Sequence, residues 1–369
     1  MVVGIRTVTD MLETLPSGSG ITTTITGFAV AGPDSLPAMR VLAAVDKFRG
    51  TATAAEVATA IGHACWQLGH DCDEVGVADG GEGTLEVLGG ANRTSRVTGP
   101  LGEPVEARWR LSRDVAVIEM ATASGLLLAG GPEHNDALAA STTGTGELID
   151  QALDHGVRKI IVCLGGSATT DGGLGALRAI RAPQRLRGVE LLVACDVTTT
   201  FVDAATVFGP QKGATPAQVA MLVGRLERLA QMYLQDYGLD VREIPGSGAA
   251  GGLAGALVAL GGKLMPGFDL VADELDLHDR ADAADIVITG EGFLDEQSFR
   301  GKVVGGMQSI ARRARKPVMA VVGDADPSVV DRIEHVSLVV AFGRQKAMAE
   351  TKSCIEQAAT QLLRRHTSA

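Results

Sequence analysis

The sequence repeats one arrangement: a short apolar run rich in β-branched residues, then a small or acidic residue, then a helix-like segment. Strands that alternate with helices in this way predict parallel sheets built from crossover connections. In open parallel sheets, ligands bind beyond the carboxyl ends of the strands, and the polar residues of this chain collect at those ends. The predicted strands of this kind span residues 41–45, 74–78, 160–164, 191–195, 286–289 and 318–322.

The segment from 94 to 120 departs from this arrangement. Its strand-like runs, 93–98, 104–111 and 115–120, are separated by the turn signals GPLGE and SRD, which predict antiparallel strands. Plain strand–helix units return after residue 283. We therefore expect one domain formed by residues 39–92 and 283–369, interrupted by a second α/β domain over residues 93–282. Residues 1–38 are expected to form an N-terminal extension outside both domains.

The composition restricts the classes of function. Of the 369 residues, 46% are hydrophobic and 21% are charged, which is typical of a globular protein with a large core. The net charge of −11 and the absence of a basic run argue against nucleic-acid binding. No apolar run has the length of a membrane span, and Asp10 and Glu13 argue against a secretory signal. The five cysteines form no CxxC pair, which favours reduced thiols in a cytoplasmic protein and argues against a zinc site.

The glycine-rich stretch LGGSATTDGG, residues 164–173, follows a predicted strand and precedes a predicted helix. Glycines allow successive N–H groups to point at one spot, and serine and threonine hydroxyls add further donors, so the stretch is a candidate anion-binding loop. The alternative is a tight turn capped by its own side chains. The candidate anion-binding residues are Gly165, Gly166, Ser167, Thr169 and Thr170.

Two further motifs place charged residues directly after predicted strands. The motif VADGGEGT, residues 77–84, holds Asp79 and Glu82 around a glycine pair, and Mg²⁺ prefers oxygen ligands of this kind. The motif VDKFRGT, residues 45–51, places Asp46 beside Lys47 and Arg49, two cations suited to phosphate or carboxylate. Each motif alone is equally consistent with a charged surface turn.

The remaining motifs contribute acids and lysines. Asp196 ends a predicted strand in ACDVTTTF, Lys212 lies in the glycine turn FGPQKGA, and TGEGFLDEQSFRGK contains Glu291, Asp295 and Lys302. The stretch GSGAAG, residues 246–251, matches the dinucleotide pattern G-x-G-x-x-G only weakly, because the half-polar VREIPG before it is no firm strand. It is interpreted as a closely packed helix start or as a second phosphate-facing loop. The sequence contains neither a Walker-type P-loop nor a G-x-S-x-G nucleophile motif.

Together these motifs resemble the bacterial glycerate kinase family. Ten blocks occur in the order of that family: VDKFRGT, VADGGEGT, VTGPLGEPV, IEMATASGL, STTGTGELI, LGGSATTDGG, ACDV, FGPQKGA, PGSGAAGG and ITGEGFLDEQSFRGK. The chain departs from the family at Val45, Lys47 and Arg49, where Pro, Ser and Lys are usual, and in a shorter segment between residues 173 and 195. The usual start of the family corresponds to residue 39, so residues 1–38 have no counterpart.

The resemblance implies a flavodoxin-like parallel-sheet domain interrupted by an inserted mixed α/β domain, with the active site between them. It implies transfer of the γ-phosphoryl group of ATP, together with Mg²⁺, to D-glycerate, giving 2-phosphoglycerate or 3-phosphoglycerate. The expected partners are small molecules, without nucleic acid or membrane, and a homodimer is an open alternative. Two rival functions remain: a kinase of another small hydroxy acid, and a non-catalytic sensor of glycerate or nucleotide.

The resemblance also implies roles for individual residues. Asp196 is expected to orient or deprotonate the glycerate hydroxyl. The expected catalytic residues are Asp196, Asp46, Asp171 and Lys212. The expected Mg²⁺ ligands are Asp79, Glu82, Glu291 and Asp295. The expected substrate- and phosphate-binding residues are Lys47, Arg49, Gly80, Gly81, Gly165, Gly166, Ser167, Thr169, Thr170, Gly248 and Gly251.

Overall fold

The computed structural model describes residues 38–368, so the extension expected over residues 1–38 lies, apart from Ala38, outside the described residues. The described chain forms two β-sheets. The strands of the first sheet are β1 (Arg40–Val45), β2 (Asp71–Gly76), β9 (Ile286–Leu294), β10 (Val318–Ala325) and β11 (Glu334–Ser337). The strands of the second sheet are β3 (Arg93–Thr98), β4 (Pro104–Ser112), β5 (Val115–Glu119), β6 (Lys159–Cys163), β7 (Glu190–Ala194) and β8 (Lys263–Met265).

The first sheet is entirely parallel, with the strand order β11-β10-β9-β1-β2. Counted along the chain within this sheet, the order is the 2-1-3-4-5 arrangement of flavodoxin-like folds, which confirms the predicted fold class. The order reverses between β1 and β9, where Val41 lies opposite Ile286 and Ala43 lies opposite Ile288. In such sheets, the crevice at the carboxyl ends of the two strands at the reversal is the usual place for a ligand.

The second sheet is mixed, with the strand order β3-β4-β5-β6-β7-β8. Strands β3, β4 and β5 are antiparallel neighbours, as the turn signals in this segment predict. Strands β5 to β8 are parallel, so their carboxyl ends share one edge of the sheet. The inserted α/β structure is therefore mixed, as predicted.

Local sequence signals set the ends of the longest helix. Thr215 and Gln218 form a reciprocal capping box, Pro216 occupies the first turn, and Gly238 ends the helix with a φ of +72°. No helix among the described residues is both long and apolar enough to cross a membrane. The α-helices are α1 (Ala54–Gln67), α2 (Thr84–Val87), α3 (Ala121–Ser124), α4 (Thr143–Asp154), α5 (Leu174–Ala179), α6 (Ala204–Phe208), α7 (Pro216–Tyr237), α8 (Leu253–Ala259), α9 (Gly267–Glu274), α10 (Leu277–Ala283), α11 (Val303–Ala314), α12 (Leu338–Phe342), α13 (Arg344–Ala349) and α14 (Thr351–Ser368).

The Ala- and Gly-rich sequence of residues 249–260 predicts a single helix, and this prediction is wrong in its first turn. A short 3₁₀ segment, Ala249–Gly252, precedes α8, and within it Ala250 and Gly251 have φ values of 51° and 67°. A Cβ atom on Gly251 would lie 2.0 Å from the carbonyl oxygen of Thr169. The backbone therefore bends here to pack against the 167–170 loop, and this tertiary contact overrides the helical tendency of the alanines.

A shared apolar core joins one face of each sheet. It contains the buried Leu42 and Val75 of the first sheet, Ile161 and Leu192 of the second, and Phe268 of α9. Because this core fixes the two sheets against each other, it also fixes the positions of the loops that follow their strands.

Candidate active site

Loops that follow strands of both sheets border one cleft with a volume of about 980 Å³. The volume is at the upper end of the range for small-molecule sites, roughly 300–1,000 Å³. The predicted site residues that line this cleft are Asp46, Lys47, Arg49, Asp79, Gly81, Glu82, Gly165, Gly166, Glu291 and Asp295.

Carboxylates of the first sheet gather at the reversal of strand order. Asp46 follows β1 and Glu291 lies in β9, and the N–H of Asp46 donates to the carbonyl oxygen of Gly290 (2.9 Å). Burial raises the pKa of Asp46 to about 6, although the N–H of Lys47 opposes the shift. Burial also raises the pKa of Glu291 to about 7, and the Asp46 charge adds to this effect. The acids thus repel one another in a place where water is scarce.

Two lysines oppose this negative charge. The ammonium group of Lys47 donates to the carbonyl oxygen of Glu82, which connects the loop after β1 to the loop after β2. The charge of Lys302, at the start of α11, lowers the pKa values of both Asp46 and Glu291. Both lysines line the cleft, so an anionic ligand would meet positive charge there despite the net charge of the chain.

Asp196 lies two residues after the end of β7 and is absent from the lining of the cleft, but it lies close to the same group of charges on the side of the second sheet. Its Oδ1 accepts a hydrogen bond from the N–H of Gly267 (2.7 Å). Partial burial raises the pKa of Asp196 to about 6, and the charges of Asp79 and Lys302 act on it in opposite directions. Asp196 therefore belongs to the segment of the second sheet, while charged groups from the segments of the first sheet, Asp79 and Lys302, change its pKa.

Close backbone packing holds the loop after β2 beside Asp196. Gly80 has a φ of +85°, and a Cβ atom on it would lie 2.4 Å from the Cα atom of Gly267. Gly80 is thus a contact between the two parts of the chain, although it is absent from the cleft lining. A side chain at this position would force the loops apart and move Asp79.

The loop after β6 presents its glycines to the cleft and buries its hydroxyl side chains. Ser167, Thr169 and Thr170 are at most 9% exposed. Lys212 lies behind them, only 3% exposed, and its ammonium group donates to Ser167 Oγ and to the carbonyl oxygen of Thr169, both at 2.7 Å. Burial lowers the pKa of Lys212 to about 7. The structure therefore places Lys212 where it supports the loop, and its predicted catalytic contact finds no support in the cleft lining.

Asp171 is likewise a structural anchor in this geometry. Its carboxylate accepts hydrogen bonds from the N–H groups of Thr142 (2.8 Å), Gly173 (3.0 Å) and Gly175 (3.1 Å), and from the Thr142 hydroxyl (2.9 Å). These bonds join the starts of α4 and α5 and occupy the carboxylate. Its predicted direct role in catalysis finds no support in this arrangement.

Gly248 and Gly251 pack against the backbone. A Cβ atom on Gly248 would lie 2.2 Å from the carbonyl oxygen of Thr200, and Gly251 meets Thr169 as described above. Both glycines are buried and neither lines the cleft. The prediction that they face a phosphate finds no support in this geometry, because close packing already accounts for them.

Comparison with known proteins decides the family. The sequence profile of the Glycerate kinase family matches residues 41–183 and 180–369. The chain belongs to the glycerate kinase family. It is 39% identical over 331 residues to the glycerate 2-kinase of Escherichia coli (strain K12), covering 79% of this chain and 87% of that protein. It is 38% identical over 365 residues to a glycerate kinase of Halalkalibacterium halodurans, covering 86% of this chain and 96% of that protein.

A solved structure supports the same family and the fold. A crystal structure described as glycerate kinase 2 of Salmonella typhimurium LT2 matches with a TM-score of 0.77 and 35% identity, covering 90% of this chain and 99% of that chain. The resemblance inferred from ten ordered blocks is thereby confirmed. Membership of the glycerate kinase family makes the chain a kinase, that is, a transferase with an alcohol group as acceptor.

The cleft of this glycerate kinase family member suits a cation that arrives with phosphate. Among residues 38–368, no three acidic, histidine or cysteine side chains converge as a ready-made metal site. However, Oε1 of Glu291 is buried without a hydrogen-bond partner, so it has a lone pair for a ligand. Mg²⁺ commonly uses one or two carboxylates, several waters and substrate phosphates, which fits this arrangement.

Among the four predicted metal ligands, Asp295 already accepts several hydrogen bonds from its own turn. Its Oδ1 accepts hydrogen bonds from the N–H groups of Gln297 (2.8 Å) and Ser298 (3.0 Å), which stabilises the turn before α11. Glu82 is exposed and lines the cleft. The four-ligand set stays a prediction, and Glu291, with its unpartnered Oε1, is the member best placed for it.

The structure adds two residues that the sequence-based site omitted. Glu119 ends β5, lines the cleft, and accepts hydrogen bonds from the N–H groups of Gly83 (2.9 Å) and Leu85 (2.8 Å). It thus connects the inserted part to the loop after β2. Lys302 lines the cleft beside Glu291. The rule that selected Asp46, a charged residue at the end of a strand, would also have selected Glu119.

Glu291 is expected to lower the stability of the protein above neutral pH. The folded state raises its pKa from 4.5 to about 7, so the folded state holds the proton more tightly than the unfolded chain. Ionisation between these values therefore costs stability as the pH rises. Glu291→Gln removes this cost, and we expect it to increase the free energy of unfolding by about 2 kcal/mol at pH 8 and by less than half of that at pH 5.

Urea unfolding at the two pH values measures this effect. Glu133→Gln, at an exposed position outside the cleft lining, is the matched control and should change stability little at either pH. Equal stabilisation by Glu291→Gln at both pH values would contradict an origin in the buried charge.

Proposed function

We propose that this chain transfers the γ-phosphoryl group of ATP to the C2 hydroxyl of D-glycerate, giving 2-phosphoglycerate, in the cleft between the flavodoxin-like and inserted parts. The observation that carries the proposal is the group of partly buried carboxylates, Asp46, Glu291 and Asp196, that faces Lys302 at the carboxyl ends of both sheets. Glycerate kinases among the relatives of the chain support the choice of acceptor.

The proposed step needs one proton acceptor and balanced charge. The hydroxyl oxygen of glycerate attacks the γ-phosphorus, the bond from phosphorus to the bridging oxygen breaks, and ADP leaves. Asp196 accepts the hydroxyl proton, for which a pKa of about 6 is well matched at neutral pH. Lys47 and Lys302 offset the charge on the phosphate oxygens. Glu291 and Asp79, together with waters, would hold the Mg²⁺ that arrives with ATP, and the ion would supply further charge compensation.

The glycine loop after β6 completes the proposed arrangement. Gly165 and Gly166 line the cleft, and Gly166 has a φ of +72°, so the backbone can present N–H groups to an anionic oxygen. Lys212 acts as a positioning residue through its bonds to Ser167 and Thr169. In this view Lys212 never contacts the substrate, and its role is to hold the loop in the shape that binds an anion.

Phosphorus NMR on the purified chain with MgATP and D-glycerate tests the proposal. A 2-phosphoglycerate signal that depends on glycerate is the expected result. A 3-phosphoglycerate signal would still establish a glycerate kinase, but the C3 hydroxyl of glycerate, in place of the C2 hydroxyl, would then face Asp196. Preference for another hydroxy acid in competition would establish the rival kinase. Binding of ATP and glycerate without any product would favour the non-catalytic sensor.

A further inference from the structure

The cleft has an apolar end that the proposed chemistry does not use. At the end of β9 and over the helices that follow β11, the lining includes five apolar residues, Phe293, Leu338, Val339, Ala347 and Met348, beside the polar Asp324, Arg344 and Thr351. We call the five apolar residues the apolar end. Phe293 is 52% exposed and Met348 is 57% exposed, whereas most large apolar side chains of the described chain are buried. Large apolar side chains left open in a concave wall commonly mark the place of a ligand.

The apolar end is a continuous piece of structure. Phe293 on β9 lies opposite Asp324 on β10. Asp324 Oδ2 accepts a hydrogen bond from Arg344 (2.9 Å), the first residue of α13, and α13 carries Ala347 and Met348. Arg344 itself lines the cleft, and its side chain remains 73% exposed. Because Asp324 binds only one nitrogen of the Arg344 guanidinium group, the other N–H groups can donate hydrogen bonds to a ligand.

A strip without side chains connects the apolar end to the carboxylates. Gly292 and Gly323 both line the cleft. A Cβ atom on Gly323 would lie 2.3 Å from the carbonyl oxygen of Gly292, so the backbones of β9 and β10 meet here with no room for a side chain. This strip starts directly after Glu291, which leaves a path from the charged end of the cleft to the apolar end.

Of the two proposed substrates, ATP and D-glycerate, only ATP has chemical groups that match both the charged end and the apolar end of the cleft. D-Glycerate carries an oxygen on each of its three carbons and has no apolar face to bury. ATP combines an anionic triphosphate with a flat purine, whose faces stack well on aromatic rings and on the polarisable sulfur of methionine. Phosphoryl transfer requires the γ-phosphate to lie among the carboxylates and lysines. The base must then extend away from them along the cleft.

We propose that the apolar end binds the purine base of ATP, with Phe293, Val339 and Met348 against the faces of the ring and Arg344 beside the ribose and phosphates. This inference rests on the proposed function, because the direction of the nucleotide follows from the site of phosphoryl transfer. The base is bound by its faces, since Thr351, a polar residue at this end, already donates its hydroxyl to the carbonyl oxygen of Ala347 (2.7 Å).

Calorimetric titration of Phe293→Ala and Met348→Gln with MgATP tests the assignment. Inorganic tripolyphosphate, competed against MgATP, is the probe without a base. We expect Phe293→Ala to weaken ATP binding by about tenfold, because it removes the aromatic face on which the base stacks. Met348→Gln should weaken it by a smaller factor, because it replaces only the polarisable sulfur. Tripolyphosphate affinity should stay within about twofold, because its contacts are charged. Met221→Gln is the matched control, since Met221 is 60% exposed on α7 and is absent from the cleft lining.

The outcomes separate this inference from the proposed function. Unchanged ATP affinity in both variants, or equal weakening of ATP and tripolyphosphate, would overturn the assignment of the base. A selective loss of ATP binding together with wild-type protein that makes no phosphoglycerate would uphold the nucleotide site and reject the glycerate reaction. If the wild-type protein makes phosphoglycerate but both variants keep the wild-type Michaelis constant for ATP, the glycerate reaction would be upheld and the nucleotide site rejected.

Discussion

Replacing Asp196 with asparagine is expected to lower kcat by about 10²–10⁴-fold, the usual contribution of a general base. Asparagine keeps an oxygen that can accept the hydrogen bond from Gly267, so the contact between the two parts of the chain should survive. It cannot accept the hydroxyl proton of the substrate at neutral pH. The loss should therefore appear in kcat, and the midpoint of thermal unfolding should stay the same or rise, because burial disfavours the charge that asparagine removes.

The pH dependence of the wild-type protein should agree with this role. Because Asp196 must be ionised to accept a proton and its pKa is about 6, kcat/KM is expected to fall as the pH drops below this value. Asp236→Asn, at an exposed position on α7, is the control for the same chemical change. Near-normal kcat in Asp196→Asn would reject the base and leave Asp46 as the best remaining carboxylate.

Much of the fold could be predicted because its signals are local. The sequence predicts a long helix over residues 216–237, and α7 has these bounds because a capping box, a proline and a terminal glycine all lie within or next to it. The antiparallel strands β3 to β5 follow from turn signals between short runs. The parallel order of the first sheet follows from strands that alternate with helices.

The structural features that the sequence did not predict depend on contacts between residues far apart in the chain. The left-handed Ala250 and Gly251 are explained by the carbonyl oxygen of Thr169, about 80 residues earlier in the chain. The burial of Lys212 depends on its partners in the loop after β6, Ser167 and Thr169, more than 40 residues earlier in the chain. Sequence shows which side chains are present, whereas the direction in which each one points depends on the packing of both sheets.

The acids of the candidate site were found by a rule with a physical basis. Side chains directly after parallel strands share one edge of a sheet, so Asp46, Asp79 and Glu291 could be grouped before any geometry was available. The rule gives no information on how two sheets face each other. The approach of Asp196 to this group therefore became apparent only through the shared core and the contact between Gly80 and Gly267.

Lys302→Met is expected to lower kcat by about 10²–10³-fold, as for the loss of a group that stabilises transferred charge. Its positive charge lowers the pKa values of Asp46, Asp196 and Glu291, so its removal should raise all three. The acidic limb of the kcat/KM profile should consequently move to higher pH.

Lys302→Arg separates charge from packing. Arginine keeps the positive charge, so this variant should keep the acidic limb near that of the wild-type protein even if its kcat falls because the geometry differs. A methionine variant with an unshifted pH profile and reduced stability would mean that Lys302 only packs at the start of α11. A shift in the methionine variant alone would show that the charge of Lys302 lowers the pKa values of these carboxylates, so that a larger fraction of the base and of the cation-binding carboxylate is ionised at neutral pH.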